Sequence, residues 1–303
     1  LPVLDIVWGV YYLTSLRPLA KDERLKYYAS FDEAELAYKL GHLNLQQLIL
    51  VNIHGKREET SVGRIIFNTI LPKGHVFINK QLDKGGLKQI VADSIISQPR
   101  EETVRFLDDI KDLAYHYITR SGLSWGMDDI PTLEIKEQLI KEGDDAVNEI
   151  REQYNNGWLT DHERYIKVIE TWTDIKNRVT EESKKRFDPN NSIATIIQSG
   201  ARGSWAQMIQ IMGMKGLVTS PAGDIIELPV KASFKEGLDV LEYFISTHGA
   251  RKGLSDTALR TANAGYLTRR LIDVAQDLII IDEDCKDTEG LSIDRAQTED
   301  TNE

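Results

Sequence analysis

Residues 243–277, YFISTHGARKGLSDTALRTANAGYLTRRLIDVAQD, carry the periodicity of one very long helix weakened in its middle. Leu267, Leu271, Val274 and Leu278 recur at spacings of four, three and four, the repeat of a single helical face. Gly249, Gly253 and Gly265 interrupt the same stretch, and each glycine in a helix interior costs about 1 kcal/mol relative to alanine. A helix that keeps such residues needs either close approach by a neighbour or a place to bend.

The stretch is also basic. Between Gly249 and Leu271 lie Arg251, Lys252, Arg260, Arg269 and Arg270 against one acid, Asp256, in a chain of 303 residues whose net charge is −11. The total alone argues against nucleic acid, whereas its uneven distribution keeps that partner open. The length favours two or three domains, and a hydrophobic content of 41% is enough for real cores. A single cysteine, Cys285, excludes an internal disulfide and points to a reducing compartment, here the cytoplasm. The apolar opening LPVLDIVWGVYYL contains Asp5, is shorter than the roughly 20 residues of a membrane helix, and lacks a signal peptide's basic flank and cleavage site. No membrane partner is expected. Leu1 in first place and the acidic ending AQTEDTNE suggest a piece of something longer.

The first hundred or so residues read as a compact α+β module. FDEAELAYKLG predicts a short helix ended by Gly41, and QQLILVNIHG a strand closed by a turn at HGKREE. TSVGRIIFNTILPKG reads as a second β-rich or β-to-turn segment, and LKQIVADSII and VRFLDDIKDLAYHYI return to helical periodicity. From Thr132 to Arg186 two charged helices flank the tip QYNNGWLTDHERY. Tyr165, Val168, Trp172, Ile175 and Val179 form a coiled-coil seam answered by Leu139, Val147, Ile150 and Tyr154. Thr160 and Glu163 make a capping box that starts the second helix. An antiparallel hairpin projecting from the body is the consequence. Pro189 with Asn190 and Asn191 breaks the chain, and the glycine-rich SGARGSWAQMIQIMGMKGLVTSPAGDIIELPV reads as loop around one helical segment, a poor core. Ser233 and Glu236 are spaced as another capping box, which predicts a long-helix start near Ser233 or Phe234.

Catalytic signatures are largely missing. The chain has no GxxxxGK[ST] phosphate loop, no HExxH helix and no CxxC. His42, His54, His75, His116 and His162 are dispersed and read as ordinary surface or core residues, and only His248 abuts the glycine-basic tract. Asp108-Asp109, Asp128-Asp129 and Asp144-Asp145 lack the spacing of a metal loop and read as solvated faces or caps. In the long helix, Leu254, Ala258, Thr261 and Gly265 lie at spacings of four, three and four, a strip of mostly small side chains. A flat object such as a base pair could approach it while Arg251, Lys252 and Arg260 reach phosphates. Small residues also let a second helix pack tightly, and periodicity alone slightly favours that reading.

Residues 243–278 are similar, almost position for position, to the bridge helix of the bacterial DNA-directed RNA polymerase beta-prime subunit. SGARGSWAQMIQIMGMKGL resembles the F-loop that buttresses that helix, TSVGRIIFNTILPKG and DIVWGVYYLT resemble the pore region, and RSGLSWGMDDI with the hairpin resembles the funnel and its rim helices. The resemblance covers essentially the whole chain. It implies an α+β, predominantly α fold with a mixed N-terminal module, a projecting antiparallel helical hairpin, a Gly-rich loop and one very long bridging helix. The implied division is a pore domain over 1–130, a funnel domain with rim hairpin and F-loop over 131–232, and the bridge helix with the start of the following cleft region over 233–303.

Carried over position by position, Thr261 and Ala262 match residues facing the nascent base pair, with Thr257, Arg260, Gly265, Arg251 and Lys252 around them. Gly249, Gly253 and Gly265 are the implied hinges. Arg202 in SGARGS matches an F-loop arginine near the substrate path. Lys215 in GMKG stands where many relatives have arginine, so charge is kept and bidentate geometry is not. Ile209 stands where a basic residue is common, which puts any phosphate or inhibitor contact there in doubt. On the rim, Asn155, Asn156, Gly157, Asp161, Glu163 and Lys167 fall on the factor-docking surface. The family's ERYNKV reads ERYIKV here, so Ile166 cannot supply the amide and only Lys167 matches. Cys285 corresponds to the first of four thiolate ligands of a structural zinc, and one thiolate cannot hold zinc tetrahedrally.

The family's NADFDGD motif, whose aspartates hold catalytic magnesium, is absent from these residues and would lie just before Leu1, with the trigger loop beyond Glu303. The resemblance therefore implies a nucleotidyltransferase part that is inactive alone and contributes positioning. Its implied partners are the DNA template and RNA–DNA hybrid, nucleoside triphosphates, the beta, alpha and omega subunits, sigma factor and Gre-type secondary-channel factors. A second reading makes the hairpin a docking module for such coiled-coil factors without a direct catalytic role. A third, an unrelated helical scaffold with a basic helix, would require no NADFDGD segment upstream.

Overall fold

Long amphipathic runs make most of this chain helical. The computed structural model describes residues 2–17, 25–53, 55–72, 74–188, 190–282, 284 and 286–290. Among them are ten α-helices and one three-stranded sheet, the predominantly helical α+β class expected. The chain divides into two compact units, Leu1–His248 and Gly249–Glu303.

In the first unit, α1 (Asp5–Thr14) turns Val7, Val10 and Leu13 inward. They meet Leu87, Ile90 and Val91 of α4 (Lys84–Ser97) and Phe106, Ile110 and Ala114 of α5 (Arg100–Ser121). Gly9 makes the α1–α5 contact close, because a Cβ there would sit 2.5 Å from the Ala114 carbonyl oxygen. Beside this core lies the sheet of β1 (Lys26–Tyr28), β2 (Ile49–Ile53) and β3 (Lys56–Thr60), with β2 central, parallel to β1 and antiparallel to β3. Ile49, Val51 and Ile53 alternate inward, as strand pleating requires. They face Ala34 of α2 (Phe31–Lys39) and Val62, Ile65 and Ile66 of α3 (Val62–Thr69).

Two expectations change here. HGKREE, read as a turn, is mostly strand: Lys56 to Thr60 pair with β2, and Gly55 at φ 84° takes the left-handed position. TSVGRIIFNTILPKG, read as β-rich, contains α3. Ser61 accepts the Arg64 N–H at 3.3 Å and starts the helix. Gly63 then lets α3 approach α1 so closely that a Cβ would sit 1.9 Å from the Leu13 carbonyl. Tertiary contact overrides the branched residues' strand preference.

The third core is built on the predicted hairpin of α6 (Lys136–Asn155) and α7 (Asp161–Arg186). Val168, Trp172, Ile175 and Val179 are buried along its seam with Leu139 and Val147. Gly143 sits under Trp172, whose Cζ3 would lie 3.0 Å from an added Cβ. The inner part of the hairpin shares this core with α8 (Ser192–Gln198) and α9 (Trp205–Met212), whereas residues 154–158 at the tip are exposed. The glycine-rich segment, read as a poor core, supplies buried Met208, Met212 and Met214. Methionine's flexible stem fills space that glycines leave irregular. The long helix, α10 (Val240–Ala275), begins later than Ser233. Ser233 and Glu236 do exchange hydrogen bonds, Ser233 N–H to Glu236 Oε2 at 3.1 Å and Glu236 N–H to Ser233 Oγ at 3.3 Å. They close a turn, and Gly237 at φ 88° ends it before the helix starts.

Candidate functional site

The residues singled out by sequence fall in three places. The first is α10 from Gly249 onward, where Asp256 is half-buried and the remaining helical residues are exposed. Gly249, Gly253 and Gly265 are helical, and a Cβ at any of them would meet open space. At about 100° per residue, Leu254, Ala258, Thr261 and Gly265 share one face. By the same rotation Arg251 and Thr257 flank that face at about 60° on either side, Ala262 stands at about 80°, Arg260 at about 120°, and Lys252 lies nearly opposite. The helix thus gathers Arg251, Thr257, Thr261, Ala262 and Gly265 within reach of one object, and sets Lys252 and Arg260 apart. The Thr257 hydroxyl donates to the Gly253 carbonyl and the Thr261 hydroxyl to the Thr257 carbonyl, each at 2.8 Å. Such back-bonding competes with the helix's own amides and favours bending.

The second place holds Arg202 and Lys215. Arg202 follows α8 in an exposed turn with Gly200 at φ 73° and Gly203 at φ 77°. It lines a cavity of about 430 Å³ whose wall includes Asp5, Trp8, Trp125 and Met208. Lys215, in the same glycine-rich segment, does not line that cavity; it is half-buried, its ammonium 5.3 Å from the Phe234 ring centre. Burial pushes its pKa down because an ammonium loses hydration there. Ile209 is buried in α9, and its apolar side chain has no group to offer a phosphate.

The third place is the hairpin tip. Asn155 ends α6, Asn156 caps it, and Gly157 at φ 78° turns the chain. Glu163 accepts from the Thr160 backbone N–H at 2.9 Å while its own N–H donates to Thr160 Oγ1 at 3.3 Å. The backbone bond from Thr160 holds its carboxyl below the usual carboxylate range. Asp161 Oδ1 accepts from two Arg164 nitrogens, Nε at 3.2 Å and Nη2 at 2.8 Å. Lys167 is exposed and Ile166 is 40% exposed, so neither is committed to a core.

Sequence reading missed what steadies this tip. Arg164 grips Glu227 with its two terminal guanidinium nitrogens, at 2.6 and 2.9 Å, and lies 5.3 Å over Tyr154. Its pKa is raised first by the hydrogen bonds to Glu227. The Tyr165 hydroxyl donates to the Ile225 carbonyl at 3.0 Å. Arg164 and Glu227 are 63 positions apart, so no local pattern pairs them. Trp158, 75% exposed, was also passed over, although a tryptophan in a polar tip is itself a signal.

Among the described residues no group of three or more His, Cys, Asp or Glu side chains could hold a metal. Cys285 lies outside the described residues, and one cysteine alone cannot supply the four thiolates of such a site.

Three family models match the chain, and all belong to one large subunit: RNA polymerase Rpb1 domain 3 over residues 1–130, domain 4 over 159–239 and domain 5 over 237–301. The chain belongs to the RNA polymerase Rpb1 family. Within this RNA polymerase family, it is 47% identical over 293 residues to DNA-directed RNA polymerase subunit beta' of Desulforamulus reducens, 96% of this chain and 25% of that one. The same-named subunit of Desulforudis audaxviator is 46% identical over 97% of this chain and 25% of its own length. That of Dehalococcoides mccartyi is 44% identical over 95% and 22%. The chain thus spans about a quarter of the length of these relatives. No helix among the described residues is long and apolar enough to cross a membrane.

Proposed function

We propose that this chain is part of a DNA-directed RNA polymerase and serves template-directed RNA synthesis in the cytoplasm. The observation that carries the reading is the exposed strip of small residues on α10, flanked by Arg251, in a chain of this family. In such an enzyme the RNA 3′ hydroxyl attacks the α-phosphate of a nucleoside triphosphate. Magnesium would supply charge neutralisation there, and no residue of this chain is assigned to it, just as Cys285 alone is not assigned to zinc. The contribution of these residues is positioning. Residues 1–130 and 131–232 form the pore and funnel of the substrate route, and 233–303 the bridge helix and the start of the cleft. Thr261 and Ala262 seat the new base pair on the RNA–DNA hybrid, Arg251 faces phosphate, and Arg202 borders the triphosphate path. Lys215, half-buried and facing Phe234, has a weaker claim. Gly249, Gly253 and Gly265 allow α10 to flex.

The test is replacement of Ala262 by leucine in the complete polymerase. The position is exposed on α10, so the helix tolerates the change, and elongation should slow roughly tenfold or more. An unchanged elongation rate with unchanged pausing would sink the assignment.

The exposed tip favours a second role beside the first, docking of coiled-coil factors of the Gre type. Trp158 supplies an aromatic anchor, and Asn155, Asn156, Gly157, Asp161, Glu163 and Lys167 a polar rim. Replacing residues 155–163 should abolish the factor response and leave basal elongation intact. Loss of basal elongation would contradict a pure docking role.

A further inference from the structure

Residues 231–239, just before α10, are fastened on several sides. The Lys231 ammonium donates to both oxygens of Asp144 on α6, at 2.6 and 2.8 Å, and lies 5.2 Å from the Trp172 ring centre of α7. Lys136, in the first turn of α6 and only 5% exposed, pairs with Glu236. Burial alone would raise the Glu236 pKa, but Lys136 and the Ser233 N–H hold it low. The Lys235 ammonium donates to the Ile130 carbonyl at 2.5 Å. The backbone N–H groups of Phe234 and Lys235 donate to the Gln210 and Ile211 carbonyls of α9, both at 3.1 Å.

The helix answers from its own side. Glu242, in the first turn of α10, accepts the N–H groups of Lys231 at 2.8 Å, Ala232 at 3.1 Å and Asp239 at 3.2 Å. Lys231 therefore holds the hairpin with its side chain and the first turn of α10 with its backbone. A buried ammonium accepts few alternative partners. Lys136 thereby fixes the register of the 233–236 turn on α6, and Lys231 fixes the next point along.

We infer that Lys136, Asp144 and Lys231 are positioning residues for α10, acting through Glu236 and Glu242 to set its first turns against the hairpin. The contacts do not depend on the polymerase reading; their effect on RNA synthesis rests on it.

The test uses the complete polymerase complex with the full-length subunit. Amide hydrogen exchange is read at residues 240–248, with 137–155 and 84–121 as internal references. Lys231→Met keeps the stem on Trp172 and removes the charge. It should raise exchange at 240–248 roughly tenfold while the references stay unchanged. Lys231→Arg, which keeps the charge, the grip on Asp144 and the ring contact, should restore both exchange and elongation rate. Lys136→Met probes the brace from its other end and should give the same localised rise. Unchanged exchange at 240–248, an equal rise through 137–155, or failure of the arginine variant to rescue would each overturn the inference. So would a normal elongation rate in Lys231→Met. If the unsubstituted complex makes no RNA, the polymerase reading falls, and the exchange pattern still decides the brace.

Discussion

Helix α6 carries one interior glycine and α10 three, and packing among the described residues explains only the first. Gly143 in α6 lies where any side chain would press on Trp172 and Ile175. Gly253 and Gly265 in α10 face open space. The hairpin's sequence thus solves a problem inside the molecule: two helices at close range, with a tryptophan filling the gap that glycine leaves. The same residue in α10 meets no packing neighbour among the described residues. Comparing the two separates glycine kept for approach from glycine kept for a surface or a bend.

The largest expected effect removes the filler. Trp172→Ala should destabilise the hairpin core by about 3 to 5 kcal/mol, read as a lowered denaturant midpoint. A loss below 1 kcal/mol would mean the seam collapses around the gap. Next comes Gly143→Ala. The added methyl gains roughly 1 kcal/mol of helix propensity but sits 3.0 Å from Trp172 Cζ3 and 3.2 Å from Ile175 Cγ1. Both neighbours are buried, so strain of about 1 to 3 kcal/mol should win and stability should fall. Gly265→Ala meets no such obstacle and should strengthen α10 by up to about 1 kcal/mol, visible as higher helicity by circular dichroism. If Gly143→Ala and Gly265→Ala shift stability in the same direction, the contrast breaks.

The smallest effect is acidic. Glu236 and Glu163 are held below their ordinary pKa, so each binds its proton more readily in the unfolded chain. Their stabilisation is complete above the unfolded value near 4 and fades as pH falls through the lower folded value. An acid titration of stability should lose slope in Glu236→Gln below about pH 4. An identical slope would show that the Lys136 pairing contributes nothing to the pH response.

The parts of the fold legible in sequence were those whose reasons are local. The Thr160–Glu163 box, the α7 seam and the period of α10 are set by residues three or four apart; the structure has the box, the helix and the seam from Val168 to Val179, while Tyr165 is only half-buried and Tyr154 opposite is 39% exposed. Helix α3 was not legible, because what makes VGRIIFNT helical is the approach to Leu13 of α1. The methionine core of α9 was hidden behind glycines that looked like loop. At the candidate site, the strip on α10 followed from periodicity alone. Rotation about the helix then showed that Lys252 and Arg260 do not share its face, a distinction that a list of basic residues conceals. The Arg164–Glu227 grip and the Lys231 brace join residues 63 and 87 positions apart, beyond any window a pattern can see.

The inward-donated hydroxyls of Thr257 and Thr261 have a chemical consequence of their own. With those protons given to the helix backbone, the strip shows methyl groups, Ala258 and Gly265, and no free side-chain donor. Base pairs are told apart by their donor and acceptor edges, and such a strip gauges thickness and flatness instead. On the proposed reading, a base pair lying along it would be received mainly by shape, since the strip offers no side-chain donor to tell A·T from G·C. Thr261→Val, which keeps the outline and removes the hydroxyl, should then leave that reception almost untouched.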